Sequence, residues 1–211
     1  MIDWSQKRIH QTLCVDLKKN VEFLYENPTQ QLNTIILLCH PHPLFEGSMY
    51  NKVLTTLAKA AHQAGIASLR FNFSSIGLTT GPYVDFIHEV ALLNQMISIV
   101  EDGPFQTKYL GGFSFGGAAV LLAKNPQWSR ILIAPAWHLI PASTIFSNFS
   151  NILLVQTIDD TVVSPADSWT HFQKLNAQEK KLFVYGSGGH FFQDQLECLK
   201  RDLSIYYQQL L

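Results

Sequence analysis

Three side chains far apart in the chain, Ser114, Asp160 and His190, are of the types that perform nucleophilic catalysis together. A serine hydroxyl is a weak nucleophile at neutral pH. It needs a base to take its proton, and the base needs a carboxylate to hold its ring in the right tautomer and orientation. Ser114 lies in Gly112-Phe113-Ser114-Phe115-Gly116, behind an apolar run and ahead of Ala118-Ala119-Val120-Leu121-Leu122-Ala123. That pattern predicts a strand, a sharp turn and a helix, with the serine at the strained tip and its hydroxyl above the sheet. A Gly-x-Ser-x-Gly match alone is weak, since chance produces one in roughly every ten to twenty chains of this length at ordinary glycine and serine usage. The loops that carry Asp160 and His190 add the weight, because each follows an apolar run that reads as a buried strand.

Asp159 and Asp160 compete for the acid role. Asp160 is preferred because Asp160-Thr161-Val162-Val163, with Pro165 close behind, is the usual setting of the acid after such a strand; Asp159 is expected to face solvent or cap locally. Asp167 and Asp194 fall within expected helices and are set aside. Among eight histidines, His190 stands out: Gly188-Gly189 let its loop bend over the site, and Phe191-Phe192 can anchor the helix behind it. A tetrahedral intermediate needs two N–H donors for its oxyanion. One is expected from Phe115, the residue after the nucleophile, and the other from the loop His40-Pro41-His42-Pro43. The prolines have no N–H, which leaves His42 as the expected donor and Leu44 as the alternative. His40 is expected to buttress this loop. The pair His40/His42 also admits reading as metal ligands, but no carboxylate cluster accompanies it, and no metal is expected.

The elements that must position these groups follow from periodicity. Gln11–Leu17 and Val21–Glu26 read as a hairpin turning at Lys18-Lys19-Asn20, with Leu13, Val15 and Leu17 on one face. Continuous apolar runs at Thr34–Cys39, Ile66–Phe73, Arg130–Ala134, Ile152–Gln156 and Lys181–Tyr185 read as strands covered on both faces. Helices are expected at Asn51–Ala64, capped by Ser48, at Tyr83–Glu101 with Ile87, Val90, Leu93, Ile97 and Val100 inward, at Ala166–Leu175, and at Phe192–Gln209. Strands and helices thus alternate from residue 34 onward, which predicts a doubly wound, mostly parallel sheet with an N-terminal antiparallel hairpin. In such sheets functional groups gather on loops beyond the strand C-termini, where Ser114, Asp160, His190 and the His40 loop all fall.

The 211 residues suit one domain. A net charge of −1 gives no basic surface for nucleic acid. No apolar run approaches a membrane span and no signal-peptide core opens the chain, so a cytoplasmic location is expected. The three cysteines, Cys14, Cys39 and Cys198, have neither zinc spacing nor a disulfide framework.

Taken together, His40-Pro41-His42-Pro43, Ser48 with Asn51-Lys52-Val53, Leu69-Arg70-Phe71-Asn72-Phe73, Gly112-Phe113-Ser114-Phe115-Gly116, Ile133-Ala134-Pro135, Asp160-Thr161-Val162-Val163 and His190-Phe191-Phe192 resemble a family of small, lidless bacterial α/β-hydrolases related to dienelactone hydrolase. The resemblance spans about residues 34 to 195. It implies the α/β-hydrolase fold without a cap domain, and the chain order Ser114, Asp160, His190 is the one that fold uses. It implies a serine hydrolase without cofactor, acting on a small-molecule ester or thioester. Two positions depart from the family pattern: Ser74-Ser75 replaces Arg-Gly, and Glu46 stands where a glycine is favoured. The segment from Pro135 to Asn151 is too short for a lid, so an open site is expected, with His40, Phe45, Phe113, Trp137 and Phe191 as candidate lining residues. An acyltransferase or a peptidase can run on the same triad, and a non-catalytic binding protein is the remaining rival.

Overall fold

The computed structural model describes residues 2–16, 19–29, 31–146 and 148–211. Strands β1 (Arg8–Asp16), β2 (Lys19–Glu26), β3 (Thr34–Cys39), β4 (Ala67–Phe71), β5 (Thr107–Phe113), β6 (Ser129–Ile133), β7 (Phe149–Thr157) and β8 (Ala177–Tyr185) form one sheet in the order β1-β2-β4-β3-β5-β6-β7-β8. The hairpin pairs antiparallel from Arg8 opposite Glu26 to Asp16 opposite Lys19, and β2 meets β4 antiparallel. Every later pairing is parallel. The first strand begins at Arg8, three residues before the apolar alternation becomes visible; Leu17 and Lys18, part of the expected turn, lie outside the described residues.

Helices α1 (Lys52–Gln63) and α5 (Leu196–Leu210) cover one face, and α2 (Phe86–Glu101), α3 (Phe115–Leu122) and α4 (Pro165–Lys174) the other. The central strand β3 shows why its sequence is apolar throughout. Ile35, Leu37 and Cys39 point into the α2/α3/α4 layer, while Ile36 and Leu38 point into the α1/α5 layer, all fully buried. Parallel strands joined by crossover helices are buried on both faces, so alternation disappears from the sequence. Between β6 and β7 the described residues hold one short 3-10 turn, Trp137–Leu139, and no inserted domain.

Three helix starts differ from the sequence reading. Asn51, not Ser48, caps α1: its Oδ1 accepts from the N–H groups of Val53 (2.9 Å) and Leu54 (3.4 Å). Helix α2 starts at Phe86 behind the cap Asp85, whose carboxylate accepts from the His88 N–H at 2.8 Å; Ile87 then faces solvent, not the core. Helix α5 starts at Leu196, because Phe192 and Asp194 adopt φ of +54° and +62°. Left-handed residues interrupt a helix wherever they occur, so Asp194 sits on an exposed turn, not within a helix.

The Arg70–Asn72 motif clamps the approach to α1. Asn72 accepts the Met49 N–H at 2.8 Å and donates to Glu22 at 2.7 Å; Arg70 donates to the Met49 carbonyl at 3.0 Å and pairs with Glu26 at 2.6 Å. Both backbone polar groups of Met49 are thereby held, in the segment that leads into α1.

Candidate active site

Strand β5 ends at Phe113 and α3 begins at Phe115, leaving Ser114 alone to reverse the chain with φ +54°, ψ −115°. A non-glycine residue at positive φ persists only where its surroundings over-determine it. Here the Ser114 N–H donates to the Ile133 carbonyl (2.9 Å), and its carbonyl accepts from Ala118 and Ala136 (3.0 Å each). The two glycines around it are spatial necessities. A Cβ on Gly112 would collide with the Gly116 backbone, and one on Gly116 with the carbonyl of Cys39 at the end of β3.

The structure brings Ser114, His190 and Asp160 into one hydrogen-bonded line. Ser114 Oγ lies 2.9 Å from His190 Nε2, and His190 Nδ1 lies 2.8 Å from Asp160 Oδ2. Asp160 is held at both oxygens: Oδ1 accepts the N–H groups of Val162 and Val163, each at 2.8 Å, and Oδ2 accepts the Gln156 amide at 3.0 Å. Burial opposes ionisation of this carboxyl, but the His190 hydrogen bond and the backbone donors outweigh it and hold the group below the ordinary carboxylate range. The ring of His190 lies 4.9 Å from Phe113 and 5.3 Å from Phe191.

Asp159 has a task the sequence did not reveal. Its carboxylate accepts the N–H groups of Gly188 (3.1 Å) and Gly189 (2.8 Å), and Thr157 Oγ1 donates to the Gly189 carbonyl at 2.9 Å. The acid loop therefore pins the histidine loop at the two residues before His190. The adjacency of two aspartates to a glycine-rich partner loop was the available signal, but only folding shows which loops meet.

His40 is buried, with both ring nitrogens on backbone groups: Nδ1–H donates to the Pro41 carbonyl (2.6 Å) and Nε2 accepts the Phe73 N–H (2.9 Å). Burial pushes its pKa down to about 3, so it stays neutral. Neither nitrogen is left to bind a metal. The next N–H, that of Ser74, is accepted by the buried Glu89 at 3.0 Å, which fixes the start of the loop bearing Ser74-Ser75. His42 Nδ1 accepts the Leu44 N–H at 3.1 Å, so Leu44 already has its acceptor, while the His42 ring packs 4.8 Å from Phe115. Burial, and then the nearby His138, lower the His42 pKa.

Of the five expected lining residues, three are corrected. His40 and Phe113 have no exposed surface; His40 packs against Phe73, and Phe113 lies behind the His190 ring. Trp137 is buried as well: its indole N–H donates to Ser168 Oγ at 2.9 Å, and its ring stacks on His171 at 4.9 Å. Phe45 and Phe191 remain at the surface, 78% and 58% exposed. Beside them a groove of about 810 Å³ runs between the segment 46–53 and the segment 191–196.

No protein-family model matches the chain. An uncharacterized protein from Rickettsia prowazekii (strain Madrid E) is 28% identical, over 88% of this chain and 83% of its own length. Among solved structures, an α/β serine hydrolase homologue from Coxiella burnetii matches with a TM-score of 0.83 at 27% identity, covering 97% of this chain and 99% of that one. A serine hydrolase without a lid from Xanthomonas campestris matches with a TM-score of 0.84 at 26% identity, covering 98% and 96%. An esterase from Butyrivibrio proteoclasticus, solved with ferulic acid bound, shares the fold at 13% identity and a TM-score of 0.79. The chain thus has the α/β-hydrolase fold, and its structural neighbours include serine hydrolase homologues, one of them without a lid.

Proposed function

We propose that the protein is a serine hydrolase that cleaves esters or thioesters of small carboxylic acids. The observation that carries this reading is the continuous hydrogen-bonded line Ser114–His190–Asp160 at the N-terminus of α3. Ser114 Oγ forms a bond to the substrate carbonyl carbon as its proton passes to His190 Nε2. Asp160 accepts the Nδ1–H throughout and stabilises the imidazolium. The negative charge that develops on the carbonyl oxygen is met by the Phe115 N–H, at the first position of α3 where no intrahelical acceptor exists, and by the His42 N–H. His190 then gives its proton to the leaving oxygen or sulfur as the bond to the acyl carbon breaks. Water repeats the sequence: its oxygen bonds to the acyl carbon, its proton goes to His190, and Ser114 Oγ leaves with that proton, freeing the acid. The exposed Phe45 and Phe191 and the absence of an inserted domain favour small or protruding acyl groups.

The test is labelling with a fluorophosphonate probe, located by mass spectrometry, beside a p-nitrophenyl ester series. Labelling at Ser114 with preference for short acyl chains supports the reading. A folded protein that neither labels nor hydrolyses any ester in the series refutes it and moves the binding-protein reading to the front.

A further inference from the structure

The groove adjoins the triad through Phe191, on the His190 side of Ser114, where a leaving group can enter it. His190 delivers its proton from Nε2 to the leaving atom, so the departing alcohol extends past the histidine. The groove starts there: Phe191, whose ring lies 5.3 Å from that of His190, is part of its wall. From Phe191 it continues along Gln193, Asp194 and Leu196 on one side and Glu46, Ser48, Tyr50, Asn51 and Lys52 on the other. Phe191 and Tyr50 are both more than half exposed. The side chains of Glu46, Lys52, Gln193 and Asp194 form no hydrogen bond or ion pair within the described residues, so their polar atoms are open to a ligand.

The lining discriminates between leaving groups by charge and polarity. A long alkyl alcohol would strip water from two carboxylates, an ammonium and an amide and give nothing back. An anionic group meets one more carboxylate than ammonium. Asp194, two residues ahead of α5, already supplies the negative charge that this helix N-terminus favours. A quaternary ammonium is attracted by the two carboxylates but carries no hydroxyl or N–H to donate to them or to the Gln193 amide. A neutral group rich in hydroxyls satisfies the four open side chains: the two carboxylates and the Gln193 amide oxygen accept from it, Lys52 and the Gln193 amide nitrogen donate to it, and the exposed aromatic rings cover its C–H surface.

Resting on the hydrolase reading, the geometry points to acyl esters of polyhydroxylated, uncharged alcohols, that is, of sugars or polyols, as the substrate class. Glu46, at the position where the resembling family favours glycine, becomes a specificity residue.

The experiment compares kcat/KM for a mono-acetylated methyl glucoside, isoamyl acetate, acetylcholine and acetyl-coenzyme A, with p-nitrophenyl acetate as reference. The glucoside is expected to lead the four natural-type esters. In Glu46→Gln/Asp194→Asn, chosen because asparagine tolerates the left-handed backbone at 194, its kcat/KM relative to p-nitrophenyl acetate falls about tenfold, mostly through KM. Equal or faster turnover of any other ester, or an unchanged ratio in the double variant, overturns the inference. A second arm does not depend on turnover: saturation-transfer NMR of the acetylated glucoside with Ser114→Ala. A signal that weakens in the triple variant supports groove binding, and its absence overturns it. Failure of p-nitrophenyl acetate hydrolysis, by contrast, strikes at the triad reading alone.

Discussion

The two ends of α3 solve the same electrostatic problem in opposite ways. A helix leaves N–H groups unpaired at one end and carbonyls at the other. At the C-terminal end, the buried Arg130 fills the need from within. Its guanidinium donates to the carbonyls of Val120 (3.0 Å), Ala123 (3.0 Å), Lys124 (3.2 Å), Asn125 (3.3 Å) and Trp128 (2.9 Å), and lies 4.5 Å above the Phe149 ring. No carboxylate pairs with it among the described residues; burial pushes its pKa down to about 9, which still leaves it charged at neutral pH. At the N-terminal end, Ser114 makes no side-chain cap, and its hydroxyl turns to His190 instead. One end is completed by the protein and the other is left incomplete. The difference teaches that the helix dipole is kept available for a substrate's transient charge only where the fold withholds its own cap.

Substitutions at either end test this contrast. The largest effect is expected from Ser114→Ala, with ester turnover falling by about three orders of magnitude or more and the melting temperature held or raised, since a strained polar tip is replaced by a smaller one; turnover within tenfold of the parent breaks the contrast. Arg130→Met is expected to act in the opposite sense. It leaves several buried carbonyls without donors and costs about 3 kcal/mol or more of stability, read by urea denaturation, while the folded fraction retains its kcat. Loss of kcat without loss of stability would show that Arg130 serves the site directly.

His40 gives a smaller, pH-dependent effect. Its folded pKa is depressed to about 3 from an ordinary 6.5, so the unfolded chain takes up the proton first as pH falls. The stability tied to its neutral ring is present above pH 6.5 and declines between 6.5 and about 3, reaching roughly 2 kcal/mol lost at pH 5. His40→Asn should be less stable at pH 8 yet show a shallower decline between pH 8 and pH 5; parallel curves for the two proteins would remove His40 from the account.

The mostly parallel sheet, though not its strand order, was open to sequence reasoning because parallel strands buried on both faces announce themselves as unbroken apolar runs, and Thr34–Cys39 has the same bounds in the structure as in that reading. Which polar loops approach one another was also legible for Ser114, Asp160 and His190, since all three follow strands of one sheet; the strand before His190, however, starts at Ala177, not Lys181, and as an edge strand is buried only at Tyr185 rather than covered on both faces. What escaped depends on contacts through space or on backbone handedness. Asn51 outranks Ser48 as a cap only once Arg70 and Asn72 have fixed Met49. The start of α5 was missed because nothing in the types of Phe192 and Asp194 announces a positive φ. Arg130 looked like one more strand residue, since five carbonyl partners on a helix end leave no periodic trace.

The groove has a consequence for how this molecule can change. Three of its polar side chains, Glu46, Gln193 and Asp194, sit on loops and hold no backbone group, unlike Asn51 in the same wall, which caps α1, and unlike the glycines beneath Ser114, which are fenced by main-chain atoms that no neighbouring substitution can move aside. Selection, natural or in the laboratory, can therefore revise the chemistry of the groove at positions 46, 193 and 194 while drawing little on the protein's thermal reserve, provided the new residues suit the backbone there. A library at those three sites, with positions 46 and 194 limited to residues that tolerate their φ of +57° and +62°, should stay mostly folded and vary chiefly in preference.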